Sequence, residues 1–316
     1  MGRSSKQVRR RLETKKAKAL RRQRKGKLTD LQVSKRVLGR YCFAVGLILS
    51  FWSSNECGPR VDNDWDRASS EFVEAMWAGG EPAYHANDAL AGLQHFLPLK
   101  GKLTLAWKLV KTWHKLEPPT RVLPMHPLLL MGMAGLLWRA GQHAIAALML
   151  VGFDCFLRSG EIYQLERRDL LFERDKVVIK LRSTKYGQQV GVDQMVLCQS
   201  TLATALLKKV CKGLEPTDKV LRSNPNTFRK HFAAAASVFG FVDRVSVYSL
   251  RRGGATWSFL QHGSMELVLL RGRWQSTQTA RIYLQDAVAG LSDLQLSDEV
   301  RSRLRQHVLF LQGLVT

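Results

Sequence analysis

The sequence predicts a mostly α-helical (α+β) protein: a helical first domain, then a larger, mainly helical domain with one small antiparallel β-sheet. Three observations predict it. Apolar residues recur at spacings of three and four along most of the chain, which is the period of an amphipathic helix. One stretch, Lys176-Val177-Val178-Ile179-Lys180-Leu181-Arg182, is instead short and β-branched, with turn residues after it. The paired prolines of Glu117-Pro118-Pro119-Thr120 cannot continue a helix and mark the domain boundary.

The elements follow in order. Residues 1–27 hold 13 Lys/Arg against one acid, Glu13, a net of +12. Such a segment repels itself and has little apolar surface to bury, so it is expected to be a basic tail, disordered or transiently helical. Residues 28–116 form the first domain. Its helices are expected from Leu31 through Tyr41 to Trp52, then at Ala68–Trp77, Tyr84–Phe96 and Lys102–Trp113, with a break rich in Ser, Asn, Gly, Pro and Asp at Ser53–Asp66. The second domain, 120–290, opens with helices at Pro127–Ala140 and Gln142–Phe156. The β-branched strand, a turn at Ser183–Gly187 and a second run at Gln189–Leu197 then make a small antiparallel hairpin or sheet. Helices return at Thr201–Lys212, Asn226–Phe239, Ser249–Gln261, Met265–Leu270 and Thr277–Asp286. The last segment, 291–316, carries an amphipathic helix at Asp298–Leu311 with Val300, Leu304, Val308 and Leu311 on its apolar side.

Charge narrows the function. The chain holds 49 Lys+Arg against 26 Asp+Glu, a net of +23, and the basic tail supplies about half of it. An excess of this size points to a polyanionic partner, with nucleic acid first. The five cysteines (Cys42, Cys57, Cys155, Cys198, Cys211) are scattered and form no CxxC pair, which argues for a reducing compartment and against a zinc site or disulfide scaffold. The longest apolar runs, Tyr41–Trp52 and Pro127–Trp138, fall short of the ~20 residues that span a bilayer. A soluble, intracellular protein with no membrane partner is expected. Gly101-Lys102 is followed by Leu103 and so is not a phosphate-binding loop. No His-Glu-x-x-His helix, Gly-x-Ser-x-Gly elbow or tight acidic cluster occurs. Neither a metal nor a cofactor is expected, and an enzyme acting on nucleic acid here would work without one.

Attack on a phosphodiester without a metal needs fixed cations, a nucleophile and an acid for the leaving oxygen. The second domain offers these types in order. Phe156-Leu157-Arg158-Ser159-Gly160-Glu161 sets Arg158 where a long helix is expected to end, and Lys185 lies at the tip of the hairpin. Tyr248-Ser249-Leu250-Arg251-Arg252-Gly253-Gly254-Ala255-Thr256 opens another helix, and Gly272-Arg273-Trp274 and Tyr283 follow. Any one of these residues alone would be a surface charge or a core aromatic. Their joint order and spacing is more specific.

This order resembles the catalytic domain of the tyrosine recombinases, the phage-integrase family, over about Pro127 to Ala289. Arg158 and Glu161 fit the family's Arg-x-x-Glu box, Lys185 its hairpin lysine, and Tyr248 and Arg251 its His-x-x-Arg box. Trp274 stands at its His/Trp position and Tyr283, nine residues on, at its nucleophile. The first domain is similar to the family's core-binding domain in position and length, and the Arg-Arg-Gly-Gly-Ala-Thr wording resembles recombinases of eukaryotic mobile elements. The resemblance implies double-stranded DNA as partner, a homo-oligomer (dimer to tetramer) on it, and a nuclear location in a eukaryotic cell.

It also implies the roles. Tyr283 attacks the scissile phosphate to form a 3′-phosphotyrosyl link, Arg158 and Arg251 clamp the non-bridging oxygens, and Lys185 protonates the leaving 5′-oxygen. Trp274 donates to the phosphate or packs beneath Tyr283, and Glu161 orients an arginine. The chain departs from the family at Tyr248, where most members have His. An unperturbed Tyr titrates near ~10, so Tyr248 suits hydrogen-bond donation better than proton abstraction. Two rivals share many of these residues. A type IB topoisomerase would relax supercoils as a monomer, and a non-catalytic DNA-binding descendant of a mobile element would bind without cleaving.

Overall fold

The structure is a computed structural model and describes residues 15–24, 27, 31–99, 101–118, 122–182, 193–278, 280–281, 284 and 296–315. They fall into two compact units, one within Leu12–Thr120 and the other within Arg121–Thr316.

The first unit is all helical: α1 (Lys15–Gln23), α2 (Lys35–Ser54), α3 (Trp65–Ala78), α4 (Ala83–Phe96) and α5 (Thr104–Leu116). α1 lies inside the basic tail, where disorder or a transient helix was expected. Its sequence, KKAKALRRQ, consists of residues that lose little rotamer freedom in a helix. Ser34 caps α2 by accepting the Val37 N–H. At 20 residues α2 is long and apolar enough by composition to cross a membrane, contrary to the expectation that no run reached that length. The apolar run Tyr41–Trp52 is only part of this helix, which begins at Lys35 within the span expected from Leu31 to Trp52. Within this unit α2 buries Ala44, Ile48 and Trp52 against Phe72, Leu90, Leu93 and Trp113. Asp66 on α3 holds the start of α5, accepting from Thr104 Oγ1 (3.0 Å) and the N–H groups of Leu105 (2.9 Å) and Ala106 (3.0 Å). Burial pushes the Asp66 carboxyl up, but these donors outweigh it and hold it below its ordinary range.

The second unit surrounds one apolar helix. Its elements are α6 (Pro127–Arg139), α7 (His143–Asp154), α8 (Ser159–Gln164), β1 (Leu170–Glu173), β2 (Lys176–Leu181), β3 (Gln194–Cys198), α9 (Thr201–Cys211), α10 (Pro225–Val238), α11 (Val247–His262), α12 (Met265–Gly272) and α13 (Asp298–Gly313). α7 buries every residue from Ile145 to Gly152, and α6, α9 and α11 pack around it. A helix apolar on all sides has to sit in the middle of a layered core. The sheet is antiparallel in the order β1-β2-β3, with Leu170 opposite Ile179 and Val177 opposite Cys198. β1 was not foreseen, because four residues are too few to show a period. α13 seats on α6, with Leu304 and His307 over Gly132 and Gly135.

Candidate active site

The site grows from the C-terminal end of α7. The last turn of a helix leaves carbonyls without intrahelical partners and gathers partial negative charge, so cations are favourable there. Among the described residues, three arginines from the α11–α12 region converge on it. Arg271 Nη2 donates to Asp154 O at 2.7 Å and faces the Asp154 carboxylate at 3.5 Å. Arg251 Nη1 donates to Phe156 O, and its Nη2 donates to Gly272 O at 2.7 Å. Arg273 Nη2 donates to Phe156 O at 3.3 Å and to Glu161 Oε2 at 2.8 Å. Phe156, which accepts from two of them, has φ 47°, and Arg273 has φ 56°. For residues other than glycine this left-handed backbone costs about 1–2 kcal/mol each, held in place by the surrounding contacts.

Arg158 does not end α7 as expected. It stands beyond the Cys155–Leu157 turn as the residue before α8, and Glu161 closes that helix start. Glu161 Oε2 accepts the Arg158 backbone N–H at 2.8 Å, and its Oε1 accepts Arg158 Nη1 at 2.9 Å. The Arg158 side chain is 45% exposed, whereas Glu161 is buried. One carboxylate therefore serves two guanidinium groups, one facing solvent and one inside. A cleft of about 430 Å³ opens beside Glu161 and Gln164 and runs to Lys180 and Arg182. Lys180 lies on β2 and Arg182 directly follows it.

Three close approaches explain the glycines of the motifs. A Cβ at Gly253 would lie 2.3 Å from Met125 O, and one at Gly254 would lie 2.0 Å from Phe153 O. Both obstacles are backbone and cannot swing away, so only glycine lets α11 lie against the segment before α6 at Met125 and against the end of α7 at Phe153. At Gly272 a Cβ would meet the Trp274 ring at 2.0 Å. Trp274 folds back over Gly272, with Arg251 Cζ 4.5 Å from the indole centroid in a cation–π contact. Trp274 joins Phe156, Ala255, Val268 and Leu284 in a small apolar cluster.

Of the residues singled out in the sequence, Arg158, Glu161, Arg251 and Trp274 come together here. Tyr248 precedes Arg251 by three positions, hence on the same side of α11, and is 46% exposed. Lys185 and Tyr283 lie outside the described residues. Arg251 differs from the expectation of an open clamp, since it is 3% exposed and both its terminal nitrogens already donate to carbonyls. Sequence reasoning missed Arg271, Arg273 and the Phe156 carbonyl. A Gly-Gly pair inside a helix, at about 1 kcal/mol per glycine relative to alanine, was the signal that a backbone passes close by.

One group has metal-ligand chemistry, although none was expected. The ligand atoms of Asp154, Cys155 and Cys198 lie within 4.8 Å of one another. The Asp154 carboxylate already accepts the Gln199 N–H at 2.8 Å and faces Arg271. A hydrogen bond to Cys198, together with burial, pushes the Cys155 thiol well above its ordinary range, which opposes thiolate formation. The group is better suited to packing than to holding an ion.

No protein-family model and no curated protein matches the sequence. Solved structures do match. A lambda integrase dimer bound to a core site aligns with TM-score 0.57 at 14% identity, over 82% of this chain and 92% of that one. The XerH site-specific recombinase bound to its palindromic difH substrate aligns with TM-score 0.53 at 16% identity, over 74% and 71%. The Tn1549 transposon integrase in complex with transposon right-end DNA aligns with TM-score 0.53 at 11% identity, over 87% and 96%. With its helical first unit and its mainly helical second unit around a small antiparallel sheet, this chain has the fold of the tyrosine recombinases.

Proposed function

We propose that this chain cuts and rejoins double-stranded DNA through a 3′-phosphotyrosyl intermediate on Tyr283. The observation that carries the proposal is the meeting of Arg158, Glu161, Arg251 and Trp274 at the end of α7, from stretches about a hundred residues apart in sequence. Residues 120–290 would be the catalytic domain and 28–116 the core-binding domain, with the basic tail 1–27 adding affinity for the phosphate backbone. The likeness to structures of a recombinase on its substrate and an integrase dimer on its core site supports DNA as partner and an oligomer, from dimer upward, as the working form.

In this reading the Tyr283 oxygen attacks the scissile phosphorus and releases its phenolic proton to water, the P–O bond to the 5′-oxygen breaks, and Lys185 gives that oxygen its proton. Arg158, the exposed guanidinium, meets the non-bridging oxygens directly, and guanidinium forks suit this geometry. Arg251 reaches them by sharing or releasing a carbonyl. Tyr248 and Trp274 donate hydrogen bonds. The phosphodiester energy is kept in the covalent link, so no ATP is consumed.

The test is a covalent-adduct assay on a nicked suicide duplex. Wild type is expected to accumulate a protein–DNA adduct and Tyr283→Phe none; an adduct formed by Tyr283→Phe refutes the assignment. A second reading, a DNA-binding chain that no longer cleaves, has one observation in its favour: both ends of Arg251 are held by backbone carbonyls. It predicts tight DNA binding with no adduct from wild type.

A further inference from the structure

Arg273 is not among the residues that the motif order singles out, yet it stands at the centre of the site. Its side chain is 6% exposed and the Glu161 side chain 8%. It reaches both arms of the arrangement through one nitrogen: to Glu161, which also holds Arg158, and to Phe156 O, which also holds Arg251. Its Nε and Nη1 are buried and have no hydrogen-bond partner among the described residues. A buried guanidinium with unmet donors is costly to the fold, and burial lowers its pKa; the Glu161 carboxylate raises it again in part, and the Arg158 charge lowers it further. Its left-handed backbone adds to the cost. Packing alone does not call for a residue like this one.

The charge count suggests what it does. Arg158 and Glu161 alone would neutralise each other, leaving the exposed guanidinium little attraction for an anion. With Glu161 paired on its buried side to Arg273, the three groups together carry a net positive charge. The surplus falls on Arg158, the member open to solvent.

We infer that Arg273 is a positioning residue that neutralises Glu161 from within, so that Glu161 can orient Arg158 without cancelling its charge toward a phosphate oxyanion. The inference rests on the strand-transfer reading of the same site and adds to it the internal counter-charge. Its signature is rescue by charge removal: if Arg273 serves to offset Glu161, then neutral Glu161 makes Arg273 dispensable.

The experiment uses the full chain as wild type, Arg273→Gln, Arg273→Lys and the Glu161→Gln/Arg273→Gln double variant. One arm reads single-turnover adduct formation on the nicked duplex. The other reads the shift in thermal unfolding midpoint caused by orthovanadate, an oxyanion that reports the centre without cleavage. Arg273→Gln is expected to slow adduct formation on the order of 10²-fold, as a misplaced reacting group does, and to lose the vanadate shift. Arg273→Lys should fall between it and wild type, and the double variant should recover most of both signals. A folded double variant as slow as Arg273→Gln, or an Arg273→Gln chain that matches wild type in both arms, overturns the inference. Should Arg273→Gln fail to fold, the double variant still decides by its own recovery. A wild type that is shifted by vanadate but forms no adduct removes the strand-transfer reading, while the vanadate arm still judges Arg273. A wild type with neither signal overturns both.

Discussion

Each unit keeps an arginine against a buried carboxylate, and the two arrangements are opposite in kind. In the first unit Arg40 meets Asp88 one to one: Nε donates to Oδ2 at 2.7 Å and Nη2 pairs with Oδ1, a fork on both oxygens. Arg40 is half exposed and Asp88 is buried, so the pair closes on itself and carries no net charge. In the second unit Glu161 is divided between Arg158 and Arg273, while Arg251 and Arg273 share one carbonyl. Among the described residues there, arginines outnumber carboxylates, two nitrogens of Arg273 have no hydrogen-bond partner, and two residues hold left-handed backbone. A matched pair serves the fold. An excess of cations over carboxylates among the described residues raises the energy of the fold and is relieved beside an anion.

Three experiments test that contrast, from the largest effect to the smallest. Arg251→Gln removes the guanidinium that joins Phe156 O to Gly272 O and stacks on Trp274. Loss of one preorganised cation is worth about 3 kcal/mol of transition-state stabilisation, so adduct formation should fall by about 10²–10³-fold, with a lower unfolding midpoint besides. A variant that is destabilised yet cleaves at the wild-type rate per folded molecule would reduce Arg251 to a structural residue.

Next comes the closed pair. Arg40→Met leaves Asp88 buried and unpaired, and thermal unfolding should register a clear loss. Arg40→Met with Asp88→Leu should recover much of it, because an ion pair replaced whole by apolar groups is often neutral. Neither change should slow adduct formation once DNA is saturating. If the double change does slow it, the first unit contributes to the chemistry and the contrast between the units fails.

The smallest effect is at Asp66. Asp66→Asn weakens a cap on α5 worth about 1 kcal/mol. Because the folded carboxyl is held below its ordinary range, its contribution is fully present above the unfolded carboxylate pKa. It is lost as the pH falls through the folded value. The gap in unfolding midpoint between wild type and Asp66→Asn should therefore be widest near neutrality and close in acid; a gap that widened in acid would reverse the sign of the shift.

Much of this was legible in the residues, and for local reasons. The helices at Pro127–Arg139, Thr201–Cys211 and Val247–His262 follow from apolar spacing and from caps such as Ser200 and Ser246, all decided within a few residues. The strand Lys176–Leu181 follows from its β-branched run. β1 was missed because Leu170–Glu173 is too short to carry a period, and it becomes a strand by pairing with β2. Arg158 was read as ending a helix because nothing local reveals that Cys155–Leu157 turns away from α7 and that Glu161 starts a new helix behind it.

The order Arg158, Glu161, Lys185, Tyr248, Arg251, Trp274, Tyr283 is a property of the chain alone, and its resemblance to the tyrosine recombinases was enough to anticipate the fold. The division of labour among the arginines is not local. Arg251 meets a carbonyl 95 residues away and Arg273 a carboxylate 112 residues away, and Gly254 lets the helix that carries Arg251 lie on the end of α7. Backbone preferences act over a few residues, whereas which donor meets which acceptor depends on how distant segments pack. The sequence alone therefore names Arg158 and Arg251 as cations, but only their packing shows the first exposed beside a shared carboxylate and the second buried on carbonyls, with Arg273 joining the two.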